Sequence, residues 1–110
     1  MESESGLPEP PYYAVIFSSR RTDQDDTAYQ AMAALMESLA REQQGYLGFE
    51  SVRDVTGKGI SVSYWTDLES IRIWRQQLQH QGAQQLGKEK WYQSYRVHVT
   101  RVERTYTFER

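Results

Sequence analysis

Hydrophobic and polar positions switch from strand-like to helix-like spacing along the first part of the chain. Residues 12–19, YYAVIFSS, form a short run rich in β-branched and aromatic side chains that ends in polar residues, and they predict a first strand. Between residues 27 and 43, apolar residues recur every three or four positions and predict one face of a helix. These residues are Ala28, Met32, Leu35, Met36 and Leu39. Gly45 can end this helix, since glycine accepts a positive φ without steric cost.

A second strand, a tight turn and a third strand follow. Residues 46–55 predict the second strand, and the two glycines of residues 54–59, DVTGKG, predict a hairpin turn. Residues 60–65, ISVSYW, alternate strictly between the two faces of a third strand. We expect the face with Tyr64, which also carries two aliphatic side chains, to lie against the helices. Trp65 is then expected on the other side of the sheet.

The remaining pattern predicts a second helix and a last strand. Thr66 and Glu69 match a capping box, in which two side chains satisfy free amide groups at a helix start. The apolar stripe of this helix consists of Leu68, Ile71, Trp74 and Leu78. Gly82 and Gly87 predict a kink or break after it, because glycine disfavours the helical backbone. Residues 91–106 predict a long final strand.

The order βαββαβ predicts an α+β, ferredoxin-like fold in which a four-stranded antiparallel sheet carries both helices on one face. The strands have apolar or aromatic residues on both faces, as Tyr64 and Trp65 illustrate. A sheet that is apolar on both sides favours a second layer, so we expect a homodimer that pairs sheet against sheet. The alternative is a monomer with a partly apolar, exposed sheet face.

The length of 110 residues fits one domain. Residues 1–11 contain all three prolines and predict a flexible tail; residues 12–106 form the domain, and residues 107–110 its C-terminal end. The absence of cysteine excludes disulfides, Cys-ligated zinc, iron–sulfur clusters and thiol catalysis, and it fits a cytoplasmic location. No apolar run reaches the ~20 residues of a membrane helix and the first residues do not match a signal peptide, so we expect no membrane partner.

Several segments have a recognisable order and spacing. They are YAVIF in the first strand, GYLGFES after the first helix, ISVSYW followed by D-x-E-x-I-x-x-W, and a His six residues after that Trp. Together they resemble the antibiotic biosynthesis monooxygenase domain, a branch of the dimeric α/β-barrel superfamily, over residues 12–106. The resemblance implies a dimer whose two sheets form a barrel, with a pocket in each subunit between sheet and helices.

This family includes cofactor-free oxygenases of aromatic substrates, haem-degrading enzymes, quinol-acting enzymes and proteins without known activity. The haem-degrading members use an Asn on strand one, a Trp on helix two and a His after it. Trp74 matches the Trp, but Gln84 stands where the His is sought, and Ser18 and Ser19 stand where the Asn is sought. The resemblance therefore implies a cofactor-independent monooxygenase of a small quinol- or phenol-like aromatic ligand, and not haem breakdown by that route.

Such a reaction asks for aromatic walls, a group that takes or relays a proton and a group that stabilises an anion, but for no metal and no cofactor. The catalytic candidates are His80 for the proton, Arg53 for the anion and Trp74 for the wall. The candidates for the substrate pocket are Tyr64, Trp65, Phe17, Phe49 and Tyr92. Each catalytic candidate has a plainer interpretation: an exposed helix position for His80, a solvated pair for Arg53 and core packing for Trp74.

Aromatic residues make up 13% of the chain, and we expect them to divide between the two sheet faces. The group under the helices is expected to contain Tyr64, Trp74 and either Phe17 or Phe49. The group on the dimer side is expected to contain Trp65, Tyr92, Tyr95 and Tyr106. Alternatively, Tyr92 and Tyr95 supply a phenol to the pocket.

Other functions fit the same fold. A non-catalytic ligand-binding or regulatory dimer needs the same aromatic walls, and an isomerase needs only proton transfer, so both alternatives stay open. Some RNA-binding modules share the βαββαβ order and carry aromatic residues on the open sheet. Here the net charge is −2, with no basic stripe and no RNA-binding strand motif, so we expect no nucleic-acid partner.

Overall fold

Strands and helices follow one another in the predicted order within residues 6–110, the part of the chain that the computed structural model describes. The strands are β1 (Tyr12–Arg21), β2 (Tyr46–Arg53), β3 (Lys58–Trp65) and β4 (Tyr92–Val102). The helices are α1 (Asp26–Glu42), α2 (Leu68–His80) and α3 (Ala83–Leu86), and α3 continues into a π-helical segment, Gly87–Trp91. Neighbouring strands are antiparallel in the order β2-β3-β1-β4, which confirms the ferredoxin-like α+β fold. Residues 1–5 of the predicted tail lie outside the described residues.

The start of α2 is capped by an aspartate. The Asp67 Oδ1 atom accepts hydrogen bonds from the Ser70 backbone N at 2.8 Å and from its hydroxyl at 3.0 Å. The Thr66 hydroxyl also donates to Asp67, and these hydrogen bonds lower the pKa of the Asp67 carboxyl. Glu69 instead pairs with Arg72, so the predicted capping box is wrong by one position. A carboxylate is favoured at a helix N-terminus because it also meets the positive end of the helix dipole.

The predicted break after the second helix is confirmed. The helix α2 ends at His80, and Gly82, with φ +73°, precedes α3. The last strand ends earlier than predicted, at Val102, because its partner β1 begins at Tyr12, directly opposite Val102. Tyr106 therefore lies beyond the sheet and is exposed. No helix within residues 6–110 is long and apolar enough to cross a membrane.

The core between sheet and helices is centred on Trp65, which is 0% exposed. It belongs to one buried cluster with Val15 of β1, Ala40 of α1 and Ile71 of α2. Its indole N–H donates to the Ser63 hydroxyl at 2.9 Å, so this buried polar pair is satisfied. The prediction that Trp65 turns away from the helices is therefore wrong.

Tyr64 lies on the opposite face of the sheet, which the helices do not cover. Its ring contacts that of Tyr12 at 6.0 Å, and its hydroxyl donates to Glu50 at 2.8 Å. Burial, followed by this hydrogen bond, raises the pKa of Tyr64 to about 12. Ile60 shares the face and is 42% exposed, so the predicted placement of Tyr64 under the helices is also wrong. The strict alternation of β3 predicts its two faces but does not say which of them the helices cover.

Candidate functional site

A cavity of about 580 Å³ lies between the helix-covered face of the sheet and the elements α1, α2, α3 and the π-helical segment. This volume is within the range of roughly 300–1,000 Å³ that small-molecule sites occupy. The sheet contributes Phe17 and Phe49, and the helical elements contribute Trp74, Leu78 and Trp91. The lining is mainly apolar and suits a planar aromatic ligand.

One end of the cavity is an aromatic cluster. The Phe17 ring meets the rings of Tyr92 at 5.3 Å and Tyr95 at 5.4 Å between centroids. The Tyr29 ring, from α1, meets Trp91 at 5.7 Å and Tyr92 at 5.9 Å, both edge to face. Edge-to-face contacts of this kind are favourable and hold the rings in defined orientations.

Beside this cluster, Arg53 reaches Tyr29 from the edge strand β2. Its Nη2 atom donates to the Ser19 hydroxyl at 2.9 Å and to the Tyr29 hydroxyl at 3.3 Å, and its Nη1 atom donates to the Gly57 carbonyl at 2.6 Å. Gly59 is the cross-strand partner of both Arg53 and Ser19. A Cβ atom at Gly59 would lie 2.6 Å from the Arg53 Cζ atom, so the glycine leaves room for the guanidinium.

A second arginine, Arg21, packs against the Tyr29 ring. It is buried, its Cζ atom lies 3.8 Å from the Tyr29 ring centroid, and Nη1 donates to the Trp91 carbonyl at 2.8 Å. Its Nη2 atom pairs with Asp26, at the start of α1, at 3.2 Å. Arg21 therefore ties α1 to the end of the π-helical segment and holds Tyr29 by a cation–π contact.

The Tyr29 hydroxyl has an unusual set of neighbours. It accepts hydrogen bonds from Arg53 at 3.3 Å and from the Tyr92 hydroxyl at 3.5 Å. Burial, followed by this contact with Tyr29, raises the pKa of Tyr92, which keeps Tyr92 protonated as a donor. Within the described residues the Tyr29 hydroxyl donates to no acceptor, so its own proton is available to a ligand oxygen.

Further polar groups lie in the sheet floor and in the wall. The hydroxyls of Ser51 and Ser61, which are cross-strand partners, lie 2.8 Å apart in the floor. The indole N–H groups of Trp74 and Trp91 are buried and have no hydrogen-bond partner within the described part of the chain. Among residues 6–110, no group of three or more His, Cys, Asp or Glu side chains is placed to hold a metal ion.

The structure brings together some of the predicted site residues and separates others. Four of them line the cavity: Phe17, Phe49, Trp74 and Tyr92. Trp65 lies beneath the lining, with its ring 5.0 Å from that of Trp74, and Tyr64 lies on the far side of the sheet.

Arg53 touches the site through Tyr29. His80 is exposed and lies outside the lining, and the catalytic roles suggested for these residues stay predictions.

The expected division of the aromatic residues is wrong on the dimer side. Trp65 is in the core, and Tyr92 and Tyr95 line the cavity, so these three residues face the helices. The register explains this placement for β4. Tyr95 is opposite Ser19 and Tyr92 is opposite Arg21 across an irregularity in the β1–β4 pairing, which sets both rings on the covered face.

Tyr29 and Trp91 are site residues that the sequence pattern did not identify. The inner face of α1 carries Tyr29, Ala33, Met36 and Ala40, spaced by four, three and four residues. The stripe predicted from larger apolar residues is rotated by about one residue, or about 100°, from this face. Small alanines facing a cavity are a weak hydrophobic signal, so the larger apolar residues predict the wrong inner face for α1.

The chain is similar in sequence to known proteins. A family model described as antibiotic biosynthesis monooxygenase matches residues 11–86. The uncharacterised protein YqjZ of Bacillus subtilis is 49% identical over 109 residues, which cover 99% of this chain and 95% of YqjZ.

Two solved structures share the fold at low sequence identity. SnoaB, a cofactor-independent oxygenase from Streptomyces nogalater, is similar with a TM-score of 0.68 and 12% identity, over 87% of this chain and 97% of SnoaB. PA3566 from Pseudomonas aeruginosa is similar with a TM-score of 0.66 and 14% identity, over 90% of this chain and 99% of that one. At these identities, the likeness concerns the fold.

Proposed function

Because the chain belongs to the antibiotic biosynthesis monooxygenase family, we propose that it is a cofactor-independent monooxygenase of a small quinol- or phenol-like aromatic substrate. The substrate occupies the cavity between sheet and helices. The observation that carries this proposal is Tyr29, a residue that lines the aromatic cavity and whose hydroxyl accepts hydrogen bonds from Arg53 and Tyr92. A hydroxyl that accepts from two donors is polarised and becomes a better donor to an oxygen that gains negative charge.

In this reaction the substrate supplies the electrons and the protein stabilises the anion. For an anthrone-type phenol, a ring CH₂ group loses a proton, and the resulting anion combines with O₂ to give a hydroperoxide. The hydroperoxide loses water and leaves a carbonyl, so one oxygen atom enters the product and the other leaves as water.

The chain's own residues have three tasks in this scheme. Tyr29, backed by Arg53 and Tyr92, donates to the substrate oxygen on which the negative charge develops. The aromatic walls exclude water, which strengthens that interaction. Glu37, a carboxylate that lines the cavity and pairs with Arg41 at 3.0 Å, is the group that we propose accepts the substrate proton, whereas His80 lies outside the lining.

Oxygen uptake with product analysis tests this function. We expect the purified protein to accelerate oxygen consumption by anthrone-type phenols or quinols above the rate of spontaneous oxidation, without added metal or cofactor. Binding of these compounds without any turnover contradicts the oxygenase proposal and favours the alternative of a ligand-binding or regulatory protein.

We also propose that the chain forms a homodimer through the sheet face that the helices leave uncovered. Apolar side chains are exposed there, including Val52 at 73% and Ile60 at 42%. Burying such a patch against a second copy removes apolar surface from water. Each Å² of buried apolar surface contributes about 25 cal/mol to the stability of the dimer.

Light scattering is expected to give a particle mass of about twice the 12.9 kDa of the chain. Ile60→Lys, in the proposed interface, should shift the mass toward that of a monomer because it buries an unpaired charge. Leu68→Lys is the matched control, since Leu68 is 54% exposed on α2, away from the sheet, and should leave the mass unchanged. A monomeric wild-type chain rules out the sheet-to-sheet dimer.

A further inference from the structure

We propose that the ligand of this cavity also carries a carboxylate or a similar anionic group, which binds Arg75 and Lys88 on the solvent side of the cavity. This inference rests on the proposed function in that it assumes an aromatic ligand in the same cavity. It adds the chemical class: a hydroxylated aromatic acid, with its hydroxyl near Tyr29 and its anionic group near the two cations.

Arg75 occupies a position at which the helix pattern favours an apolar residue. Ile71, Trp74 and Leu78 lie on the inner face of α2, where Ile71 is buried and the other two line the cavity. Position 75 is four residues after Ile71 and three before Leu78, so it belongs to the same face. Arg75 is half-buried and lines the cavity, so its charge is partly removed from solvent.

Lys88 approaches the cavity from the π-helical segment. Gln84, Gly87, Lys88 and Trp91 all line the cavity, so one face of α3 and the π-helical segment borders it. Lys88 is exposed to solvent, although it also borders the cavity. The cation is therefore available to an anion that enters with the ligand.

Neither cation is neutralised within the described residues. The ion pairs of residues 6–110 involve Arg21, Arg41, Arg72, Lys90 and Arg101, but not Arg75 or Lys88. The carboxylate in the lining, Glu37, already pairs with Arg41 at 3.0 Å. The cavity thus offers two free positive charges in a chain whose net charge is −2, which favours a negatively charged ligand.

The test compares β-naphthol with a hydroxynaphthoic acid that carries a carboxylate at the opposite end of the same ring system. Binding is followed by quenching of tryptophan fluorescence, since Trp74 and Trp91 line the cavity. At low salt, we expect the acid to bind about five- to tenfold more tightly than the naphthol, as two partly screened ion pairs would allow. Because the pairs face solvent, this preference should shrink as salt increases.

The double variant Arg75→Gln, Lys88→Gln should abolish the preference for the acid, because the loss of affinity falls on the carboxylate-bearing compound far more than on the naphthol. Arg72→Gln is the control, since Arg72 is an exposed arginine of the same helix that lies outside the lining and pairs with Glu69. A preference that survives in the double variant, or equal binding of both compounds to the wild type, overturns the anion site and leaves the proposed function standing. If neither compound binds, the anion site and the aromatic cavity ligand are both overturned.

Discussion

Replacing Trp65 by alanine is expected to lower the free energy of unfolding by about 3–5 kcal/mol, the usual cost of a large-to-small change at a buried aromatic residue. Trp65 is 0% exposed and joins β1, α1 and α2 in one cluster, so its truncation leaves a cavity in the middle of the core. The change also leaves the Ser63 hydroxyl buried without its indole donor. Such a loss is a large part of the roughly 5–15 kcal/mol that stabilises a typical domain.

Chemical denaturation of Trp65→Ala and Leu68→Ala measures this effect against a matched control. Leu68 is 54% exposed at the start of α2, so its truncation should cost less than about 1 kcal/mol. A loss of similar size in both variants would contradict the placement of Trp65 under the helices.

Replacing Tyr29 by phenylalanine is expected to reduce the rate of oxygenation by about 100-fold, the lower end of what loss of one oxyanion donor costs. The change removes only the hydroxyl and keeps the ring that packs against Arg21, Trp91 and Tyr92. Arg53→Gln should also reduce the rate, because it removes one of the two hydrogen-bond donors to the Tyr29 hydroxyl.

Tyr95→Phe is the matched control for Tyr29→Phe. Tyr95 lines the same cavity and packs against the same aromatic cluster, but its hydroxyl makes no hydrogen bond within residues 6–110. We expect its rate to stay within a few-fold of the wild type, and thermal melting should show both variants folded. Equal rates in the two variants would remove Tyr29 from the proposed chemistry.

The sequence predicts the order of strands and helices because that order depends on local residue patterns. The strand runs, the helical spacing of residues 27–43 and the glycine at position 82 each act within a few residues. The local pattern does not predict which face of β3 or of α1 is buried. Which face of a strand or helix is buried depends on the element that covers it. In both β3 and α1, the larger apolar residues predict a buried face that is not the one the structure shows.

The site residues also differ in how far local sequence predicts them. Phe17, Phe49, Trp74 and Tyr92 were predicted because large aromatic residues on regular elements are conspicuous. The contact of Arg21 with Tyr29 and Trp91 joins three separate parts of the chain and depends on tertiary structure. The residue spacing within one segment does not predict a contact between separate segments, so this contact is known only from the structure.

The proposed function requires that oxygen be consumed in the cavity under the helices. Ala33 of α1 lines that cavity, and Ala31, two residues earlier, is exposed and lies outside the lining. Oxygen uptake by Ala33→Phe and Ala31→Phe, with the phenol that the wild type oxidises best, compares a filled cavity with the same substitution on the outside. We expect Ala33→Phe to lose most of the activity and Ala31→Phe to keep that of the wild type. Full activity in a folded Ala33→Phe variant, or no oxygen uptake by the wild type with any phenol or quinol, would contradict the proposed function.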